Sequence, residues 1–424
     1  MTHTILNFIT TVDPAKLEPL TALLAEIEDD LSGNPHLPFS CLKRLHFGSL
    51  TILEDTGDEH GRKNFAPYLV FEHNFDGTLE PYLEELLDCA APGLDRIYSH
   101  CLEYPASGLR ERATLRAFLI SRVVRPHAYH IGNVGRSVGR VQQEAALREQ
   151  IEGHLDALVL KGQAQAPPAT IRRGIQEFVR SLAPDWTQTV APRMTFTERF
   201  VPWVKLVAAA FLVLLLALVL FPLFIIYLIA LRRRERTDPA NIPPLDPAHV
   251  LGLAAREDHI VQNHMANLRY VKPGSLRRLT IRFVLLAVNL VARVSTHGQL
   301  VGLRSLHFAH WVVIDDGRRL LFLTNYDGSW ENYLDDFIDR IAIGLTAIWS
   351  NTINFPRSRF LLFGGAKDGA RFKATARQTQ FYTNVWYSAY PRLTVQAVDN
   401  NSAIREDLFT PLGEAQTRAW LRRF

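Results

Sequence analysis

The tetrapeptide Asn74-Phe75-Asp76-Gly77 recurs as Asn325-Tyr326-Asp327-Gly328, at an offset of 251 residues. The same offset holds without a gap for residues 74–105, and 13 of these 32 positions are identical in the second copy. Upstream, Leu45-His46-Phe47 matches Leu306-His307-Phe308 at an offset of 261, because the first copy has a longer loop between the two motifs. The chain therefore contains two copies of one structural unit.

Each copy shows apolar patterns in the order strand, helix, strand, strand, helix, strand. In the first copy we predict strands at residues 4–12, 45–54, 68–74 and 128–134, with helices at 17–31 and 78–101. In the second copy we predict strands at 261–271, 306–314, 320–325 and 383–388, with helices at 275–294 and 330–350. This βαββαβ order is the ferredoxin-like unit. We predict an α+β protein in which the two ferredoxin-like repeats pack together as an α/β barrel.

A long uncharged segment lies between the copies. Residues 206–231 carry no charge, and as one helix they would be about 39 Å long, against a hydrocarbon core of about 30 Å. Trp203 and nearby aromatic residues are typical of a membrane interface, and Pro222 predicts a kink. We therefore predict one membrane-inserted helical segment at residues 205–232.

The charges around this segment give two answers about its orientation. The arginines at 232–236 favour a cytoplasmic location for the second copy. The N-terminal residues lack the pattern of a signal peptide, which favours the cytoplasm for the first copy too. A plain single pass cannot satisfy both, whereas a bent, re-entrant anchor at Pro222 can, although its arms are too short to cross twice. We expect both repeats to face the cytoplasm.

The remaining boundaries follow from composition. We assign residues 1–160 to the first repeat, 170–204 to an amphipathic and juxtamembrane region, 237–249 to a proline-rich linker, and 255–424 to the second repeat. The net charge of +4, without a basic run interleaved with aromatics, argues against nucleic-acid binding. Three cysteines without a CxxC pair predict buried, reduced thiols. Nucleotide-binding and hydrolase signatures are absent.

Two strings of the second copy resemble a bacterial family of uncharacterised membrane-associated proteins. They are Leu306-His-Phe-Ala-His-Trp-Val-Val-Ile-Asp-Asp-Gly and Leu323-Thr-Asn-Tyr-Asp-Gly-Ser-Trp-Glu-Asn-Tyr-Leu. At fold level the duplicated unit is similar to the dimeric α/β-barrel superfamily, which includes dye-decolourising peroxidases and chlorite dismutases. Those proteins bind haem, so the resemblance implies haem as a possible cofactor and peroxidase-like oxidoreductase chemistry. A fold alone does not confer that function.

Asp327 and His307 are the candidate catalytic residues. Asp327-Gly328, like Asp76-Gly77, ends a strand and opens a helix, which is ordinary turn and helix-cap chemistry. The alternative is the distal acid–base aspartate of dye-decolourising peroxidases, whose GxxDG motif this chain keeps only as Asp-Gly. Thr324 and His73 stand where that motif has its first glycine.

The candidate cofactor-binding residues are His307, Trp311, Asn325, Trp330 and His264; none is assigned to a metal. A mid-strand histidine can ligate haem iron, or it can be a hydrogen-bonded core residue. Strand alternation predicts that His307 and Trp311 share one face, where they could line a small-molecule pocket.

Two functions fit these observations. The first is a membrane-anchored protein that binds a small hydrophobic molecule between the sheets, with a haem-dependent oxidoreductase as its most specific version. The alternative is a non-catalytic membrane scaffold that self-associates into a homo-oligomer. The lipid bilayer is the expected partner in both, and the resemblance implies the bacterial inner membrane as the location.

We predict that the protein stays with the membrane fraction during a high-salt or carbonate wash. Residues 206–231 would be held by burial of apolar surface, which salt does not screen. Immunoblotting of pellet and supernatant measures the outcome, and release into the supernatant would falsify insertion.

Overall fold

The computed structural model describes residues 2–105, 111–160, 166–182, 196–219, 221–238, 244–294 and 302–424. Its strands are β1 (His3–Thr11), β2 (Leu45–Leu53), β3 (Tyr68–Asp76), β4 (Val123–Val124), β5 (Ala128–Ile131), β6 (Gln262–Tyr270), β7 (Leu306–Ile314), β8 (Arg319–Asp327), β9 (Ser358–Arg359), β10 (Phe363–Gly364), β11 (Gln380–Phe381) and β12 (Val385–Ser388). Its α-helices are α1 (Leu17–Asp29), α2 (Leu79–Tyr98), α3 (Arg112–Ser121), α4 (Val138–Leu160), α5 (Pro168–Leu182), α6 (Phe196–Val219), α7 (Phe221–Thr237), α8 (Pro247–Ala254), α9 (Ser275–Val294), α10 (Trp330–Trp349), α11 (Gly369–Gln378), α12 (Val395–Asp407) and α13 (Glu414–Leu421).

Ten of the described strands form two antiparallel sheets. The first sheet has the order β12-β2-β3-β1-β4, and the second has the order β11-β6-β8-β7-β5. Asn74 and Asn325 lie on the corresponding strands β3 and β8, and His46 and His307 lie on the corresponding strands β2 and β7. The predicted α+β class is confirmed.

Each half of the chain places its last strand in the sheet of the other half. β5 pairs with β7, where His130 lies opposite Ala309, and β12 pairs with β2, where Trp386 lies opposite Ser49. The strands predicted near residues 128–134 and 383–388 therefore exist, but they cross over, and the short strands β4 and β11 take the expected positions beside β1 and β6. The two five-stranded sheets are separate, and β9 pairs only with β10, so the predicted closure into a barrel is not observed among the described strands.

The two sheets pack face to face. Apolar residues of both, including Val70, Leu268 and Leu321, fill one end of the layer between them. Phe47 and Phe308 lie in a second cluster in this layer. The outer faces are covered by α1, α2 and α3 on the first sheet and by α9, α10 and α11 on the second. Strands β2, β6 and β7 are buried at every position, which is why their sequences show little alternation of apolar and polar residues.

The prediction of reduced cysteines is wrong for one pair. Cys41 and Cys89 form a disulfide, with their Cα atoms 6.0 Å apart, whereas Cys101 is free and buried. The two bonded cysteines are 48 residues apart in sequence, so no spacing motif indicated the bond. The disulfide ties the segment before β2 to α2.

Helices α6 and α7 cover the uncharged segment on either side of residue 220, which lies outside the described residues. Within the described ranges, no helix combines the length and the apolarity that crossing a membrane requires. The end of α7 docks on the second half: Glu235 is 3% exposed and accepts the backbone N–H groups of Phe360 and Leu361 at 2.8 and 2.9 Å. The hydroxyl of Tyr227 lies 3.1 Å from Oγ1 of Thr280 on α9.

The predicted proline-rich linker is partly helical. Residues 239–243 lie outside the described part of the chain. Beyond them Pro247 opens α8, and the Asp246 side chain accepts the backbone N–H of Ala248 at 2.9 Å. Proline suits the first turn of a helix, because the backbone N–H that it lacks would have no partner there.

Candidate functional site

A β-bulge in each half changes the face of the sheet on which one histidine side chain lies. The pairing of β2 with β3 shifts register between Leu45 and Phe47, and that of β7 with β8 shifts between Leu306 and Phe308. The extra residues are His46 and His307. A bulge adds one residue to a strand and so reverses which face the following side chains occupy.

The bulge overturns the prediction that His307 and Trp311 share a face. Trp311 stacks on Phe322 among the residues packed beneath the helices of the second half. His307 is instead fully buried in the layer between the sheets, with its ring centroid 5.0 Å from Phe47 and 6.0 Å from Tyr390.

Two equivalent histidine–aspartate pairs follow from the bulges. His46 Nε2 lies 3.0 Å from Asp76 Oδ1, and His307 Nε2 lies 2.8 Å from Asp327 Oδ1. The second oxygen of each aspartate accepts a backbone N–H from the first residue of a helix, from Val138 of α4 at 2.9 Å and from Val395 of α12 at 2.8 Å. The aspartates do bind helix N-termini, as the Asp-Gly motif suggested, but not those of the helices that follow them directly.

His3 adds a third group to the pair in the first half. Its Nδ1 lies 3.1 Å from Asp76 Oδ1, and Gln262 occupies the corresponding place opposite Asp327. The ligand atoms of His3, His46 and Asp76 lie within 4.8 Å of one another, a geometry that could hold a metal ion.

The hydrogen bonds indicate that His3 and Asp76 are joined through a proton and not through a metal ion. The backbone N–H of Gly135 donates to Nε2 of His3 at 2.8 Å, so neutral His3 carries its proton on Nδ1, which faces Asp76. A histidine that ligates a metal normally donates from its other nitrogen, which this contact forbids. Burial would raise the pKa of Asp76, but hydrogen bonds from His3 and His46 hold that pKa well below its usual range.

A buried carboxylate lies at the centre of the layer between the sheets. Glu72 on β3 is fully buried; its Oε2 lies 2.9 Å from Nε2 of His264 and accepts the hydroxyl of Ser49 at 2.8 Å. Its Oε1 accepts the amides of Asn74 and Asn325 at 2.9 and 3.2 Å. Burial alone would raise the pKa of Glu72, but the hydrogen bond from His264 and nearby imidazoles lower it to about 2. Glu72 is therefore ionised, and the two repeat-equivalent asparagines both hold it.

His264 connects this carboxylate to a surface cavity of about 250 Å³. Because ionised Glu72 can only accept, Nε2 of His264 carries a proton, and in the neutral imidazole Nδ1 is then an acceptor. The hydroxyl of Thr383, 2.7 Å away, donates to that Nδ1. The cavity is lined by Glu28, Leu253, Arg256, Glu257, His259, Asn263, His264, Gln380, Phe381, Tyr382, Thr383 and Trp386.

Glu28 is a carboxylic acid in the wall of this cavity. Burial raises its pKa to about 7, although the backbone N–H of Trp386 donates to its Oε2 at 2.9 Å. The Arg256 guanidinium lies 3.6 Å from the centroid of the Tyr382 ring. The Trp386 indole N–H donates to Asn325 Oδ1 at 2.9 Å, which ties the cavity wall to the partners of Glu72.

The structure separates the predicted site residues into three groups. His264 and Asn325 lie together at Glu72, and His307 and Asp327 form the pair described above. Trp311 and Trp330 belong to the helix-side core of the second half, and the Arg377 guanidinium covers the Trp330 ring at 3.8 Å.

Sequence reasoning missed Glu72, Glu28 and Thr383. For Glu72 a signal existed, because a carboxylate in the middle of the apolar run Tyr68-Leu-Val-Phe-Glu is costly unless it has buried partners. Glu28 lies on a predicted helix and Thr383 opens a predicted strand, and neither position stands out in the sequence.

The surroundings of His307 do not fit haem. An axial ligand needs a porphyrin-sized gap in front of the nitrogen that binds iron. Nε2 of His307 is bonded to Asp327, and Nδ1, which has no hydrogen-bond partner among the described residues, is buried where Phe47 and Tyr390 pack against the ring. In this packing His307 and Asp327 position each other and α12.

No protein-family model matches the chain, and no curated protein matches it. The resemblance to the dimeric α/β-barrel superfamily therefore stays a prediction.

Buried histidines predict a fold that weakens in mild acid. Burial lowers the pKa of His46, of His73 to about 3 and of His310 to about 4, each from an ordinary value of 6.5. Below pH 6.5 the unfolded chain binds protons that the folded chain does not, so stability falls as the pH drops from 7 to 5. Each histidine contributes up to about 1.4 kcal/mol per pH unit to that fall. Glu72 adds no dependence in this window, because its stabilisation is lost only below about pH 4.5. Glu28, whose pKa is raised to about 7, binds a proton more readily in the folded chain and offsets the effect of about one of the three histidines.

Urea unfolding in detergent at pH 7.5, 6.5 and 5.5 measures this effect. His310→Asn should reduce the dependence of the unfolding free energy on pH, whereas His60→Asn, at an exposed loop position, should leave it unchanged. Equal slopes for all three proteins would show that the buried histidines are not the cause.

Proposed function

We propose that this chain is a membrane-attached protein that binds a small molecule in the cavity between Glu28 and Thr383 and transfers protons to and from it. One observation carries the proposal: a chain of hydrogen bonds leads from buried Glu72 through His264 to the hydroxyl of Thr383 in the cavity wall. The same cavity holds Glu28, whose pKa of about 7 suits exchange of a proton near neutral pH.

The two groups have complementary roles. Thr383 takes a proton from the bound molecule while its own proton moves to Nδ1 of His264, which becomes an imidazolium beside ionised Glu72. A hydroxyl, an imidazole and a carboxylate in hydrogen-bonded sequence are the general arrangement for activating a hydroxyl. Glu28 donates its proton to an oxygen of the ligand, so a ketone leaves as its enol.

The cavity lining indicates the class of ligand. The Arg256 guanidinium suits an anionic group, and Trp386, Tyr382 and Phe381 suit a flat apolar part. Polar residues are more numerous in the lining than the sequence-based proposal of a hydrophobic ligand implied. We therefore propose a small aromatic or aliphatic carboxylate with a carbonyl group.

Membrane attachment through residues 206–231 remains part of the proposal. The exchange of strands supports one side of the bilayer for both halves, because halves separated by a membrane could not share sheets. A re-entrant anchor bent at Pro222 fits that constraint better than a plain single pass. The cytoplasmic side, expected from the sequence, is at odds with the Cys41–Cys89 disulfide, because disulfides persist mainly in oxidising compartments. Cysteine accessibility from each side of the membrane distinguishes the two.

The alternative of a scaffold that self-associates through its sheets has less support. The inner faces of both sheets already pack against each other within one chain, and helices cover the outer faces. A homo-oligomer would need another surface.

Benzoate serves as a probe of the anion site. We expect it to shift the indole N–H resonance of Trp386 in ¹⁵N-labelled protein at pH 6, and its affinity to fall about tenfold by pH 8, as ionised Glu28 repels it. Glu28→Gln should remove this pH dependence, and Arg256→Gln should abolish the shift. Arg278→Gln, which changes an exposed arginine in a different cavity, is the matched control. Affinity that rises with pH, or survives Arg256→Gln, contradicts the proposal.

Phenylpyruvate serves as a probe of proton transfer. The wild-type protein should speed exchange of its C3 hydrogens with D₂O, followed by proton NMR, and Thr383→Val should slow that exchange by about 100-fold. Thr383→Val should still bind benzoate, since it leaves Arg256 and Glu28 in place. Exchange at the wild-type rate in both Thr383→Val and His264→Gln would exclude the proposed relay.

A further inference from the structure

Helix α9 has an apolar face that points away from the core. Its inner side carries Ile281 and Leu285, both fully buried beneath the second sheet. Its outer side carries Leu279, Phe283, Leu286 and Val291, which are 50–62% exposed. These outer positions follow steps of three to five residues along the helix.

This pattern is unusual for a helix on the surface of a protein. Such a helix normally has polar residues on its outer side, and a helix that is apolar all round is buried in a core or in a membrane. From Phe283 to Ala292 the only polar residue of α9 is Asn289. An exposed apolar patch of this kind marks a surface that binds something.

The outer face of α9 is continuous with the uncharged segment. α6 packs against α9, and α7 approaches it through the contact between Tyr227 and Thr280. α6 and α7 also present exposed apolar side chains, among them Phe211, Leu215 and Phe224. The three helices together form one apolar surface on the side of the second half.

Arginine side chains lie at the edge of this apolar surface. Arg278 and Arg282 lie on the first half of α9 and are exposed, and the arginines at 232–236 end α7. Arginine next to an apolar helix suits the anionic headgroups above the acyl chains of a bilayer. A partner protein would not require this separation into an apolar face and a basic margin.

We propose that the outer face of α9 lies in the interface of the same bilayer that receives residues 206–231. The second half is then not tethered at a distance but rests on the membrane through α9, as an amphipathic helix does when its apolar side enters the headgroup region. The proposal depends on the membrane attachment proposed above and adds a second contact to it.

An environment-sensitive NBD fluorophore on single introduced cysteines tests this contact. The full-length protein is reconstituted in vesicles of phosphatidylcholine and phosphatidylglycerol, with or without nitroxide-labelled lipid. Labels go to Leu286→Cys and Val291→Cys on α9, to Leu215→Cys on α6, and to Ile120→Cys on α3 as an exposed apolar control. The native cysteines do not interfere, since Cys41 and Cys89 are bonded and Cys101 is buried.

Labels at 286 and 291 should show blue-shifted emission that the nitroxide lipid quenches, as should the label at 215, whereas the label at 120 should show neither. Quenching at 215 but not at 286 and 291 overturns the inference and leaves membrane attachment standing. Loss of quenching at all sites refutes the attachment itself. A blue shift at 286 without lipid quenching means that protein covers α9, and this also overturns the inference.

Discussion

The exchange of last strands between the two halves is the constraint on which the rest of the structure depends. Because β5 completes the second sheet and β12 completes the first, neither sheet can move away from the other. Face-to-face packing of the sheets follows, and with it the shared layer that holds Glu72 from one half and His264 from the other. The cavity at Thr383 exists because the chain between β11 and β12 must pass from one sheet to the other at that point.

The buried charge of Glu72 is a costly feature that four hydrogen-bonding groups offset. Removing a carboxylate from water costs several kcal/mol, and a pair with histidine returns this only when the remaining lone pairs are also satisfied. Ser49, Asn74 and Asn325 satisfy them here. Asn74 and Asn325 are equivalent positions of the repeat, and both donate to the carboxylate of Glu72, which only the first copy has. This is how a duplicated fold acquires a single site, with the acid in one copy and its imidazole in the other.

Much of the fold could be predicted from the sequence, because helices and strands are set by local patterns of apolar residues and most of them are long here. The predicted bounds 306–314 and 275–294 match β7 and α9. The strand exchange could not be predicted, since a strand of four residues carries no sign of which sheet it joins. The face of His307 could not be predicted either, because alternation assumes a regular strand and the bulge adds one residue. The structure places His264 and Asn325 at the layer between the sheets. Glu72 was missed because these two partners, which show that its burial is satisfied, lie 192 and 253 residues away in sequence.

The exchange also has a consequence for how the protein is made. While the ribosome is still synthesising the second half, β2 of the first half has an unpaired edge, and it gains its neighbour only when residues 385–388 emerge. An unpaired edge strand is a template for pairing with other chains, and contacts across more than 300 residues form slowly. The first strand edge therefore stays unpaired while the uncharged segment and about 150 further residues are synthesised. During this interval the open edge of β2 must be kept from pairing with other chains. The Cys41–Cys89 bond links two segments of the first half and does not depend on the second half. It can therefore stabilise the first half before β12 is made.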